Sequence, residues 1–148
     1  MSDLLQFILA DDVLRSILAR KLINLDEIDL LDLLLKNGLD VNGYYGVFLL
    51  HTSVEKGNIG MSKLLLEYKA NPSQMNILGQ TALHLAVRQK NMDLVKLLLS
   101  YKVDKTLRDS DGRPMDHPSK IGIGKTASER ARDIGQIEIA NYIDTYVE

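Results

Sequence analysis

The apolar positions of this chain recur as pairs of short helical segments separated by turn residues. ALHLAVR, from Ala82, has the dense apolar spacing of a short buried helix, and MDLVKLLLS, from Met92, carries more apolar side chains than one narrow stripe can hold. Lys90 and Asn91 lie between them and predict a break, with Asn91 in the left-handed conformation. Each pair is therefore expected to form a helical hairpin that neighbouring hairpins must cover.

The hairpin pattern repeats with a period of 33 residues. Gly46 aligns with Gly79 at this spacing, and His51 aligns with His84. One further step from Gly79 reaches Gly112, so a third turn is expected there. Self-similarity at such a period is the signature of stacked helical repeats.

The chain from Gly124 fits the same template once more. Thr126 stands at the helix cap and Gly135 at the break between two helices. Because Gly112 already occupies the expected turn position, an insertion of roughly 113–123 is expected between the turn and this last helical pair. Its prolines and glycines predict an irregular loop. The apolar face of the closing helix is expected at Ile137, Ile139 and Ile143.

These residues resemble the ankyrin repeat. GQTALHLAV followed by LVKLLL matches the family signature Gly-x-Thr-Pro-Leu-His-x-Ala, with Ala82 where the family has Pro. The match is specific in residues 71–107 and weaker in 40–70, where Phe48 replaces the capping Thr and Ser53 the small Ala. Residues 26–39 look like the second helix of an amino-terminal capping unit, which ends at Asn37 and Gly38.

The resemblance implies an all-α ankyrin-repeat solenoid of about four helix-turn-helix units with β-turn fingers. One domain, residues 1–148, is expected. Its parts are a divergent capping unit (1–39), two repeats (40–71 and 72–105) and a carboxy-terminal repeat (106–148) that carries the insertion at about 113–123.

Composition and charge narrow the functional classes. A formal net charge of -2 and a pI near 5.9 provide no basic stripe, so nucleic acid is not an expected partner. Cysteine is absent, which excludes disulfides and thiolate metal sites. The first 22 residues are apolar but carry Asp3, Asp11, Asp12 and Arg15, which fits neither a secretion signal nor a membrane span. A cytoplasmic protein, monomeric when unbound, is expected.

The segment KIGIGKT, residues 120–126, raises the question of nucleotide binding, since Gly-Lys-Thr closes the phosphate-binding loop. That loop also needs a glycine where this chain has Ser119, and a buried strand before it, where this chain has two prolines. A nucleotide-binding enzyme that uses 120–126 stays open only as a minor alternative.

Other chemistry is weakly indicated. The resemblance implies that His51 and His84 bond the turn backbone, and His117 lies in the insertion with only Asp116 as a companion ligand. No nucleophile, base and acid stand in a pattern that suggests a catalytic triad. No catalytic residue, cofactor or metal site is therefore predicted.

The resemblance implies instead a noncatalytic module that binds another protein through the concave face formed by fingers and inner helices. Exposed apolar and aromatic side chains at turn tips are typical of contact patches. The first finger offers Tyr44, Tyr45 and Val47, the second Ile77, Leu78 and Gln80, and the third Arg108, Ser110, Asp111 and Arg113. The inner helices add Glu55, Lys56, Arg88 and Gln89.

Several biological roles fit such a module. It could mask or inhibit its partner, as an immunity or host-interaction protein does, or serve as an adaptor or targeting subunit of a larger complex. The sequence leaves both roles open, and it does not identify the partner.

Overall fold

The computed structural model describes residues 10–44, 48–111 and 123–147, and eight α-helices lie wholly within them. These residues contain no β-strand, as the all-α prediction requires. The chain divides into two compact units, unit 1 from Met1 to Ala70 and unit 2 from Asn71 to Glu148. Within the described ranges, no helix combines the length and apolar character that a membrane crossing needs.

Unit 1 contains two helical hairpins. Its helices are α1 (Asp12–Leu25), α2 (Ile28–Lys36), α3 (Leu49–Glu55) and α4 (Ile59–Glu67). Besides the contacts within each hairpin, α1 packs on α3 and α2 packs on α4. First helices therefore stack on first helices and second on second, which is the packing expected of a repeat solenoid.

Unit 2 repeats this arrangement. Its helices are α5 (Ala82–Arg88), α6 (Met92–Ser100), α7 (Ala127–Asp133) and α8 (Ile137–Thr145). Here α5 packs on α7 and α6 on α8. The stacking persists although more chain separates α6 from α7 than separates α4 from α5.

The turn inside each hairpin combines a left-handed residue with a helix cap. Gly57, Lys90 and Gly135 have φ of 68, 57 and 75°. The next residue caps the second helix: the side chains of Asn58 and Asn91 accept the amide three positions on, at 2.9 and 3.1 Å. The prediction that Asn91 adopts the left-handed conformation is therefore wrong. Lys90 adopts it, and the Asn91 side chain is used as an acceptor.

The core of unit 1 contains a pair of buried serines among its apolar side chains. Ser53 and Ser62 are fully buried, and their hydroxyl oxygens are 2.9 Å apart. The hydroxyl of Ser53 also donates to a carbonyl of α3, and that of Ser62 to the carbonyl of Asn58. Thirty-three residues later the same two positions are Ala86 and Val95. The polar pair thus replaces an apolar pair in the repeat.

The core of unit 2 follows the predicted apolar pattern closely. Every residue of α5 except Arg88 is buried. In α6 the side chains of Leu94, Val95, Leu98 and Leu99 are at most 2% exposed. In α8, Ile139 and Ile143 are buried as expected, but Ile137 is 53% exposed. The closing helix therefore buries a narrower face than the sequence predicts.

The capping hairpin at the start of unit 1 is held by a buried arginine. The Nη2 of Arg15 donates to the carbonyl of Asn37 at 2.7 Å, and the side chain is largely buried. This carbonyl belongs to the residue that ends α2, and Gly38 follows it with φ of 83°. The predicted helix stop at Asn37 and Gly38 is present, and Arg15 ties it to α1.

Candidate functional site

The finger of a repeat is the turn that precedes its first helix, and in the second finger Asn76 organises the turn. Its Oδ1 accepts the amides of Leu78 and Gln80 at 2.9 and 3.0 Å, and its own amide donates to the carbonyl of Gln80. Gly79 closes the turn with φ of 67° and donates to the carbonyl of Asn76. The tip residue, Ile77, is 69% exposed. The finger is thus a fixed mount for an exposed apolar side chain.

The third finger is built in the same way around Asp109, 33 residues after Asn76. Asp109 Oδ1 accepts the amides of Asp111 and Lys125, both at 3.0 Å, and its amide donates to the carbonyl of Lys125. Gly124 donates to the carbonyl of Asp109 at 3.0 Å, which is the bond that Gly79 makes in the second finger. The turn position assigned to Gly112 is therefore held by Gly124, and the insertion lies inside the turn.

Gly124 must be a glycine because its backbone touches the organising aspartate. A Cβ at this position would lie 1.9 Å from Asp109 Oδ1 and 2.6 Å from the amide nitrogen of Asp111. Real Cβ atoms do not approach other atoms so closely. The glycine therefore allows the two ends of the insertion to meet.

Arg130, on α7, holds the third finger to the helix. Its Nε donates to Asp109 Oδ2 at 2.8 Å, and its Nη2 donates to Asp109 Oδ1 at 3.0 Å and to Asp111 Oδ1 at 2.8 Å. Burial by itself raises the pKa of Asp109, but the Arg130 guanidinium and the amides of Asp111 and Lys125 outweigh it and lower that pKa to about 2. Asp109 is therefore a buried carboxylate that stays ionised.

His84 links the start of α5 to the third finger. Its Nδ1 accepts from the amide of Thr81 at 3.2 Å and lies 2.9 Å from the Thr81 hydroxyl, while its Nε2 lies 2.9 Å from the carbonyl of Lys125. A neutral ring with the proton on Nε2 satisfies all three contacts. Burial lowers the pKa of His84, which favours that neutral form. The histidine thus bonds the turn backbone, as the resemblance implies.

At the corresponding place in unit 1 the contact is different. Phe48 stands where unit 2 has Thr81, and it provides no capping hydrogen bond from its side chain. Its ring instead packs against the imidazole of His51, with ring centroids 5.3 Å apart. The expected weakening of the repeat at Phe48 is therefore a change from a polar cap to a ring contact.

A pocket of about 300 Å³ opens beside the third finger of unit 2. Its lining among the described residues consists of Gln80, His84, Val87, Arg88, Asp109, Asp111, Arg130 and Ile134. Three of the predicted binding residues, Gln80, Arg88 and Asp111, meet here. The sequence did not point to Arg130 or Ile134, because they belong to α7 and its end, which only the fold brings to the finger.

The other predicted residues of unit 2 lie in varied surroundings. Leu78 is half-buried, and Gln89 is half-buried at the end of α5. Arg108 is exposed and forms a two-pronged ion pair with Glu129, at 2.9 and 2.8 Å. Ser110 is fully buried, and its hydroxyl donates to the carbonyl of Leu78 at 2.8 Å. Ser110 therefore ties two fingers together instead of facing outward.

In unit 1, Tyr44 lies at the repeat position of Ile77 and is 40% exposed. Glu55 and Lys56, at the end of α3, are exposed. Tyr45 and Val47 lie outside the described residues, as does Arg113. The tip position is thus exposed and apolar or aromatic in the first two fingers, and buried and polar in the third.

Lys125 and Thr126, the last residues of the loop-like segment, are both used by the fold. Lys125 Nζ is 2.6 Å from the carboxylate of Asp133, and Thr126 caps α7 in a capping box with Glu129. Ser119 and residues 120–122 lie outside the described part of the chain. These contacts account for Lys125 and Thr126 without a phosphate.

Among the described residues, no group of three or more His, Asp or Glu side chains is arranged to hold a metal ion. His117 and Asp116 lie outside that part of the chain.

A family model of ankyrin repeats matches residues 17–109 in three copies. The match covers more than half of the chain, so the chain belongs to the ankyrin-repeat family, as its stacked hairpins also indicate. Ankyrin repeats are generally protein-interaction modules and are typically noncatalytic. Comparison with curated proteins gave no match.

Proposed function

We propose that this chain is a noncatalytic protein that binds another protein through its finger tips and first helices, the surface that the resemblance predicts to be concave. The observation that carries the proposal is Ile77, a large apolar side chain that is 69% exposed at the tip of a hydrogen-bonded turn. An apolar group held rigidly in water gains free energy when a partner covers it.

The repeat supports the same conclusion. Tyr44 occupies the Ile77 position one period earlier and is also exposed, at 40%. Tyrosine is among the residues most enriched in binding hot spots. Two equivalent tips with an exposed apolar or aromatic side chain favour a binding role over a chance surface residue.

The test is to substitute the tips and compare them with a matched control. A partner captured from lysate is purified, and its affinity is measured by calorimetry for the parent and for Ile77→Asp, Tyr44→Asp and Lys96→Glu. Lys96 is exposed on α6, a second helix, away from the fingers. We expect at least a tenfold loss of affinity, about 1.4 kcal/mol, for a tip that is an anchor, and little change for Lys96→Glu.

Melting temperatures of the same variants separate binding from folding. If the tip variants bind normally while Lys96→Glu abolishes binding, the proposed surface is wrong. If the tip variants unfold instead, Ile77 and Tyr44 serve stability.

We also propose that binding masks the partner, in the cytoplasm, since a sequence without cysteine suits a reducing compartment. A masking protein and its partner form a binary complex in which the partner's own activity falls. An adaptor would instead bring a second protein into a ternary complex, which size-exclusion chromatography with light scattering detects.

The nucleotide alternative has a separate test. Thermal shift with ATP or GTP and magnesium is expected to leave the melting temperature unchanged, because Lys125 and Thr126 are engaged by Asp133 and Glu129. A shift that disappears in Lys125→Ala would support an enzyme.

A further inference from the structure

The pocket beside the third finger is balanced in charge. Arg88 and Arg130 contribute two positive charges, and Asp109 and Asp111 two negative ones. His84 is favoured in its neutral form because burial lowers its pKa. A charged occupant would lose hydration and find each opposite charge already accompanied by one of its own sign. The pocket therefore favours an uncharged group.

Arg130 presents a particular surface to that group. Its Nε and Nη2 are occupied by the carboxylates of Asp109 and Asp111, while the side chain is still 29% exposed. Because that edge of the guanidinium plane is used, an occupant meets mainly its flat faces. Guanidinium faces stack on aromatic rings.

The remaining lining suits the same kind of occupant. Val87 and Ile134 provide apolar contact, and Ile134 is 42% exposed at the end of α7. Gln80 adds an amide that can meet a phenol hydroxyl or an indole N–H. A volume of about 300 Å³ is at the small end of ligand pockets, and so has room for one large side chain but not for a folded segment.

We propose that this pocket binds an aromatic side chain, tyrosine or tryptophan, of the partner protein, stacked on Arg130 and packed against Val87 and Ile134. This proposal rests on the protein-binding function proposed above and identifies one anchor of the partner. Tyrosine and tryptophan are the side chains that most often fill such pockets at the centre of interfaces.

The test uses small probes, so it does not depend on having the partner. The protein carries ¹³C-labelled valine and isoleucine methyl groups and is titrated with N-acetyl-tryptophanamide, N-acetyl-tyrosinamide, N-acetyl-leucinamide and acetate. We expect saturable ring-current shifts at Val87 and Ile134 with the two aromatic probes, and dissociation constants on the order of millimolar. The leucine probe should bind about threefold or more weakly, since it lacks the ring.

Variants locate the probe. Arg130→Met removes the cation and keeps an unbranched side chain, and it should weaken the tryptophan probe about threefold. Because that change also leaves Asp109 without its ion pair, Ile134→Ser is the second variant; it alters the pocket rim away from the Asp109 contacts and should weaken the same probe similarly. Lys96→Glu lies outside the lining and should bind the probe as the parent does.

The outcomes are distinct. The proposal is overturned if neither aromatic probe shifts the two methyl groups, if N-acetyl-leucinamide binds as tightly, or if acetate saturates the pocket instead. It is also overturned if a well-folded Ile134→Ser binds unchanged. Loss of partner binding in Ile77→Asp with no probe binding in this pocket would retain the protein-binding function and remove only the aromatic anchor.

Discussion

Asp109 makes with the backbone of the third finger the contacts that Asn76 makes in the second, 33 positions earlier. Each side chain accepts the amide two residues on and the amide that follows the closing glycine. The exchange of an amide for a carboxylate adds one function, the ion pair with Arg130. The turn and the clamp to α7 can therefore be separated by mutation.

The first prediction follows from this separation. Asp109→Asn should retain the turn and weaken only the clamp, at a cost of about 1 kcal/mol in the free energy of unfolding. Asp109→Ala should cost about 3 kcal/mol, because it removes both the buried acceptor and the ion pair. Urea unfolding followed by circular dichroism measures both. Equal losses in the two variants would contradict the assignment of two roles.

The second prediction concerns two glycines with different surroundings. Gly124→Ala should destabilise the protein by about 1 to 3 kcal/mol, because the added Cβ collides with Asp109 and Asp111. Gly60→Ala is the matched control: its Cβ would lie at least 3.6 Å from its neighbours, and alanine favours the helix by about 0.5 kcal/mol. Opposite signs of the two effects are expected in thermal or urea unfolding.

The third prediction concerns the buried hydroxyl pair of unit 1. Ser53→Ala and Ser62→Val each break their mutual hydrogen bond and should each cost about 1 kcal/mol. The double variant carries the pair found in the next repeat, Ala86 and Val95, and should cost less than the sum of the two. A double-mutant cycle with a coupling of about 1 kcal/mol is expected, and strict additivity would argue against the pair.

The fourth prediction is a pH dependence that originates at His84. Burial lowers its pKa in the folded state below the unfolded value of about 6.5. The unfolded chain therefore takes up the proton first, and stability is full above that value and falls as the pH drops through it toward the folded pKa. His84→Gln should remove this part of the loss, so the stability difference between parent and variant should shrink from pH 8 to about pH 5. A difference independent of pH would show that His84 does not titrate on unfolding.

Much of the fold could be predicted from the sequence because its signals are local. Apolar spacing and the 33-residue period indicate the helices, and the period aligns the turn glycines. The left-handed residue of the second hairpin was assigned to Asn91, since a lysine such as Lys90 rarely adopts that conformation. Asparagine is equally suited to capping a helix, and the sequence does not show which property is used.

The site was less accessible to prediction. Ile77 and Ser110 share one repeat position, yet one is exposed and the other buried, because Ser110 donates to the backbone of the preceding finger. Arg130 and Asp109 are 21 residues apart, with the insertion between them. A period of 33 does not bring such a pair together, so the clamp became visible only in the fold.

The neck formed by Asp109 and Gly124 separates the length of the chain between them from the register of the repeats. Extra residues inside a helix would rotate its apolar face out of the core, whereas extra residues at this point pass through a closure that the second finger makes with a single turn. Doubling such a loop costs only about 0.6 kcal/mol in closure entropy. We therefore expect foreign peptides of different lengths, such as an epitope tag, to be grafted between Asp111 and Gly124 while α7 and α8 keep their places.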